Sequence, residues 1–73
     1  MELYKVDCMN DEWAEKLLVH ISKDNVKGVR LGKAVVFEPI GLNGWGYCAH
    51  RFHGFTDTPN DGDVVAFKNH WGL

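Results

Sequence analysis

Three side chains that can bind a metal ion or act as nucleophile and base lie close together in the sequence: Cys48, His50 and His53. Structural zinc sites use sets of four Cys or His ligands, with Cys8 and His70 as more distant candidates here. The spacing Cys-x-His-x2-His differs from that of a CxxC pair. On a regular strand Cys48 and His50 point to one face and His53 to the other. We therefore expect no metal site and no cofactor.

Cys48 and His50 would share a strand face, as a catalytic nucleophile and its base must. Cysteine catalysis also needs a lowered thiol pKa and an oxyanion site within a cleft. A chain of 73 residues offers little material for such a cleft. The simpler interpretation of His50 is a partly buried side chain packed beside Phe37. The sequence therefore predicts a protein that is not an enzyme.

Three carboxylates, Asp57, Asp61 and Asp63, surround Pro59 and Gly62. They do not follow the EF-hand ligand pattern for calcium. Aspartate is common in turns because its carboxylate accepts hydrogen bonds from nearby backbone N–H groups. We interpret these residues as turn residues.

The centre of the chain contains a hairpin signal. Asn43-Gly44 is the preferred dipeptide of a type I′ turn, because both central residues of that turn need positive φ. It predicts a hairpin of residues 35–42 and 45–52. The predicted pairs include Val35 with Phe52, Val36 with Arg51, and Phe37 with His50.

One face of this hairpin is the predicted partner-binding site. Trp, Tyr and Arg are enriched among the residues that dominate protein interfaces, and the predicted register places one of each on this face. The predicted contact residues are Trp45, Tyr47, Arg51, Ile40, Leu42 and Glu38.

Other elements must position this hairpin. Alternation predicts a strand over residues 3–8. Asn10 as N-cap and a stripe of apolar residues predict an amphipathic helix over Asp11–Lys23, ended by Asn25 and Gly28. Short strands are predicted over residues 29–31 and 63–67. The expected fold is one α+β domain of residues 1–73, in which one amphipathic helix packs on a curled antiparallel sheet of four to five strands in β-α-β-β-β-β order.

A single helix covers only one face of a sheet, so the second face needs another explanation. Either the sheet curls almost into a barrel, closed by Phe55, Trp71 and loops, or the face is an exposed patch that binds a partner. An apolar face of this kind is also compatible with a homodimer.

Composition limits the partner and the compartment. The net charge of −2 and a pI of about 6.0 argue against general nucleic-acid binding. Residues 25–53 nevertheless hold four bases and one acid, which suits a local anionic ligand. Two cysteines, no signal peptide and no membrane-spanning apolar run predict a cytoplasmic protein with reduced thiols.

We therefore expect a small non-catalytic protein-binding module that inhibits or regulates a larger protein or complex, a type common among phage and mobile-element accessory proteins. The alternative is binding of nucleic acid or a nucleotide ligand through the same hairpin face, with bases stacked on Trp45 and Tyr47.

Overall fold

The computed structural model describes residues 3–38 and 56–73. Its elements are β1 (Tyr4–Asp7), α1 (Asp11–Lys23), β2 (Gly28–Leu31), β3 (Ala34–Phe37), β4 (Thr56–Asp57) and α2 (Asp61–Trp71). The strands form one sheet in the order β2-β3-β1-β4, and each neighbouring pair is antiparallel. The α+β class and the antiparallel sheet are thus confirmed.

Helix α1 has the bounds that the sequence predicts. The Asn10 side chain accepts a hydrogen bond from the Trp13 backbone N–H at 2.9 Å, which satisfies one of the unpaired donors of the first turn. Asn25 follows the helix with a φ of 60°, a left-handed conformation that stops it. Gly28, predicted to help end the helix, lies in β2 instead.

One face of the sheet packs against α1. Because side chains alternate along a strand, Val35 and Phe37 of β3 share this face with Val6 of β1. The buried residues that form this first core are Val6, Cys8, Ala14, Leu17, Ile21, Val26, Val35 and Phe37. The apolar stripe of α1 therefore covers the sheet as expected.

The prediction of a final strand over residues 63–67 is wrong, because this segment belongs to helix α2. The Asn60 side chain accepts from the Asp63 N–H at 2.9 Å, and the Asp63 carboxylate accepts from the Asn60 N–H at 3.4 Å. This reciprocal capping box starts a helix where the sequence suggested only a turn. Val64, Phe67 and Trp71 then follow at helical spacing.

Helix α2 covers the second face of the sheet. Phe67 is fully buried against Leu3, Val29 and Val36, and Val64 packs beside them. The predicted β-α-β-β-β-β order is not confirmed, because the last predicted strand belongs to α2. The count of four to five strands is not confirmed either, because it included that strand. A helix on each face replaces the expected single helix, and α2 closes the face that was predicted to be a curled interior or a binding patch.

Strand β3 has a neighbour on both sides, which corrects the predicted hairpin register. Val36 pairs with Lys5 of β1 and with Val29 of β2. Both edges of β3 are thus occupied, so the predicted pairs Val35–Phe52, Val36–Arg51 and Phe37–His50 are wrong. The Asn43-Gly44 turn lies outside the described residues.

Candidate interaction surface

Of the predicted contact residues, Glu38 is the one that the structure describes. It is half-buried, and its backbone N–H donates to the Lys27 carbonyl at 2.9 Å. It therefore extends the pairing of β2 with β3 by one position. The other predicted contacts lie outside the described residues: Ile40, Leu42, Trp45, Tyr47 and Arg51.

The structure describes only some of the candidate metal ligands. Cys48, His50 and His53 lie outside the described residues, whereas Cys8 is a buried thiol in the core beneath α1. His70 lies at the end of α2, on the other side of the sheet. Within residues 3–38 and 56–73, no three His, Cys, Asp or Glu side chains form a metal-binding group.

Two of the three clustered aspartates have structural roles in α2. Asp61 and Asp63 lie in its first turn, where negative charge is favoured by the helix dipole. Asp63 also forms an ion pair with Lys5 of β1, with Nζ and Oδ2 3.0 Å apart. Asp61 and Asp63 thus belong to the first turn of a helix, not to the turn that the sequence suggested, and Asp63 caps that helix and contacts the sheet.

The outer edge of β2 carries backbone groups that point away from β3, at the buried Gly28 and at the exposed Arg30. Lys27 is hydrogen-bonded to Glu38 through its carbonyl, and antiparallel pairs alternate between bonded and non-bonded positions. Gly28 and Arg30 therefore direct their N–H and C=O groups away from β3. In the part of the chain that the structure describes, no strand lies beyond β2 on this side. We call these outward groups of Gly28 and Arg30 the β2 edge.

Trp71 reaches the β2 edge from the end of α2. Its indole Nε1–H donates to the Gly28 carbonyl at 3.2 Å. The ring also contacts the buried Phe67, with centroids 6.4 Å apart, while Lys27 Nζ lies 5.8 Å from its centroid. Trp71 is nevertheless 39% exposed. It therefore links the core to a polar group at the surface of the sheet.

The charges along this edge are mostly positive. Arg30 is held on the α1 side, with its Nε 3.3 Å from Glu15 and its Nη1 4.0 Å from Asp11. Lys27 and Lys33 flank β2 and are exposed, and neither forms an ion pair with any of the described residues. Two positive charges without an acidic partner among the described residues thus flank the β2 edge.

Helix α2 and the residues that follow it carry exposed apolar side chains. Val65 is 55% exposed and Leu73 57% exposed, so residues 65–73 contribute three large exposed apolar side chains when Trp71 is included. On the opposite helix Val19 is 49% exposed and borders an open depression. The walls of that depression come from α1 alone, so it joins no second element.

Sequence reasoning missed the role of Trp71 at the sheet edge. The available signal was the spacing of Val64, Phe67 and Trp71, which places three apolar residues on one side of a helix. Val65 obscured it, because consecutive β-branched residues favour a strand.

Comparison with protein-family models, curated proteins and solved structures found no significant match to this chain. Neither helix within the described residues combines the length and apolar character needed to cross a bilayer.

Proposed function

We propose that this chain is a small non-catalytic protein-binding module that inhibits or regulates a larger protein or complex in the cytoplasm. The observation that carries the proposal is that residues 65–73 leave three large apolar side chains exposed, one of which, Trp71, reaches the β2 edge. Val65, Trp71 and Leu73 are exposed although the helix that bears them packs on the sheet. Exposed apolar surface of this kind marks protein interaction sites.

Trp71 is the central residue of this surface. Tryptophan is among the residue types that contribute most to binding energy, because a large ring is buried at the cost of few rotatable bonds. Here the ring is already positioned by its contact with the buried Phe67. A fixed ring loses little conformational entropy when a partner covers it.

The predicted contacts of the central segment stay part of the proposal. Trp45, Tyr47 and Arg51 would supply further hot-spot residues. Trp45→Ala and Arg51→Ala are expected to weaken partner binding. If both variants bind as tightly as the wild type, the central segment does not belong to the interface.

The two helices provide a matched pair of variants for the test. Val65→Ser and Val19→Ser make the same change at similarly exposed positions on opposite sides of the sheet. We expect Val65→Ser and Trp71→Ala to reduce recovery of a stoichiometric partner from lysate of the source organism, because each removes apolar contact area. Val19→Ser should recover as much partner as the wild type.

Equal loss in Val65→Ser and Val19→Ser would contradict the assignment of the surface, and recovery of no protein partner would contradict the proposed function. The alternative, a nucleic-acid or nucleotide ligand, predicts recovery that is nuclease-sensitive and falls steeply with salt. A flat tryptophan-fluorescence titration with a single-stranded oligonucleotide at low salt would exclude nucleic acid.

A further inference from the structure

The β2 edge has the arrangement of a strand-addition site. The backbone N–H and C=O groups of Arg30 point out of the sheet, and so does the N–H of Gly28, by the alternation of the β2–β3 pairing. An extended peptide that lies beside such an edge gains main-chain hydrogen bonds whatever its sequence. The described residues place no strand there.

Trp71 occupies one of the hydrogen-bonding positions that an added strand would use. Its indole N–H takes the place at the Gly28 carbonyl that a backbone N–H of the added strand would otherwise fill. The carbonyl is thus satisfied in the absence of an added strand, and Gly28 is buried in this state. Because Trp71 is partly exposed, an incoming strand can exchange with the indole N–H at this carbonyl.

Charge determines which kind of strand can pair with the β2 edge. Lys27 and Lys33 flank β2, and Arg30 lies within it. A second copy of β2 in the same position would bring these cations against their own counterparts, which is unfavourable. Positive charge on an edge strand is a known protection against such self-pairing. A strand with acidic residues would instead be attracted by these cations.

We propose that the β2 edge binds an extended, acidic segment of a partner protein, which adds to the sheet as a strand next to β2. This inference rests on the proposed protein-binding function and specifies the partner and its geometry. The backbone of Gly28 and Arg30 supplies the hydrogen bonds, Lys27 and Lys33 supply charge complementarity, and Trp71 is the cap that the segment displaces.

Two substitutions of Arg30 separate its backbone from its side chain. Arg30→Pro removes the outward N–H of residue 30 and leaves the hydrogen bonds between β2 and β3 in place. An edge strand tolerates proline at a position of this kind. Both substitutions remove the ion pairs of the Arg30 side chain with Glu15 and Asp11, but Arg30→Ala keeps the backbone N–H. The probe is a displayed library of random peptides selected on the wild-type protein, and the folding of each variant is checked by its amide NMR spectrum.

We expect the selected peptides to be acidic and to bind Arg30→Ala about as tightly as the wild type. Arg30→Pro should bind them about tenfold more weakly, since one main-chain hydrogen bond and the close approach of the strand are lost. On peptide binding, the amide of the exposed Arg30 should become protected from hydrogen exchange.

A second variant predicts a change in the opposite direction. Trp71→Phe keeps a ring against Phe67 but has no N–H to donate to Gly28. We expect it to bind the same peptides several-fold more tightly, because no intramolecular donor competes for the carbonyl. Binding weaker than that of the wild type would contradict the assignment of Trp71 as a displaceable cap.

Three results would overturn the inference. The first is slow exchange of the Arg30 amide in the free protein, which would mean that the edge is already covered. The second is selection of basic peptides, or of peptides that bind Arg30→Pro unchanged. The third is no enrichment from the library. Each leaves the proposed function standing if a protein partner is still recovered from lysate and depends on Val65.

Discussion

At the scale of single residues, Gly28 is explained by the packing of α1 on the sheet and not by the end of that helix. Its position after α1 suggested a helix stop, but it lies in β2 directly beneath that helix. A Cβ atom at residue 28 would lie 2.8 Å from Ile21 Cδ1 and 3.2 Å from Leu18 Cδ1. The absence of a side chain therefore allows α1 to approach the sheet closely.

We expect Gly28→Ala to lower the free energy of unfolding by about 1 kcal/mol, because overpacking outweighs the gain from replacing glycine. Ile21→Val removes the Cδ1 atom and alone should cost about 1 kcal/mol. The double variant should cost about 1 kcal/mol less than the sum, because the shortened side chain admits the new methyl group. Urea unfolding of the four proteins measures this coupling.

The control for this cycle pairs Gly28→Ala with Val19→Ala on the exposed side of α1. These two changes should be additive within about 0.5 kcal/mol, since the residues share no contact. Additivity in the Ile21 cycle as well would mean that the sheet and α1 separate to accept the new side chain.

At the scale of elements, the two helices differ in how they are specified. Helix α1 carries a broad apolar stripe and acidic residues in its first turn, signals that lie within the segment itself. Helix α2 buries one residue fully, Phe67, and it contains poor helix formers, with Gly62 in its first turn and Val65 in its second. Its start therefore depends on the capping box formed by Asn60 and Asp63.

Asn60→Ala is expected to lower the free energy of unfolding by about 1 kcal/mol, because the Asp63 N–H loses its acceptor. Asn60→Ser should stay within a few tenths of the wild type, since the hydroxyl can accept the same bond. Asn69→Ala, the same change within α2, should instead stabilise by about 0.5 kcal/mol through helix propensity. Equal losses for the alanine and serine variants at residue 60 would contradict a capping role.

At the scale of the whole molecule, each face of the sheet depends on a different helix. Val35 and Phe37 are buried under α1, while Val36 between them is buried under α2. Lys5 and Asp63 add an ion pair between the sheet and α2. With both sheet faces covered, the surface that the described residues leave for a partner includes the β2 edge and the outer sides of the helices.

Deletion of residues 61–73 should abolish the cooperative fold. The deletion exposes Leu3, Val29 and Val36, and a small domain has little stability in reserve. We expect poor dispersion in the amide NMR spectrum and binding of the dye ANS. Deletion of residues 72–73 alone should leave a dispersed spectrum, and a dispersed spectrum for the longer deletion would show that α2 is dispensable.

The sequence by itself determined α1 to the residue, together with strands β1 and β2 and the α+β class. Caps, helical spacing and strand alternation act within a few neighbouring residues, so they can be read from the chain directly. The sequence also suggested partner contacts at Trp45, Tyr47 and Arg51, which remain predictions.

Only the tertiary structure decided that α2 is a helix, that β3 lies between β1 and β2, and that Trp71 meets Gly28. Strand neighbours are chosen by long-range pairing, which a local pattern such as Asn43-Gly44 cannot specify for the whole strand. The segment of α2 has local signals for both a strand and a helix. Burial of Phe67 against the sheet favours the helix. The β2 edge follows from these long-range choices, since Trp71 and Gly28 are 43 positions apart in sequence.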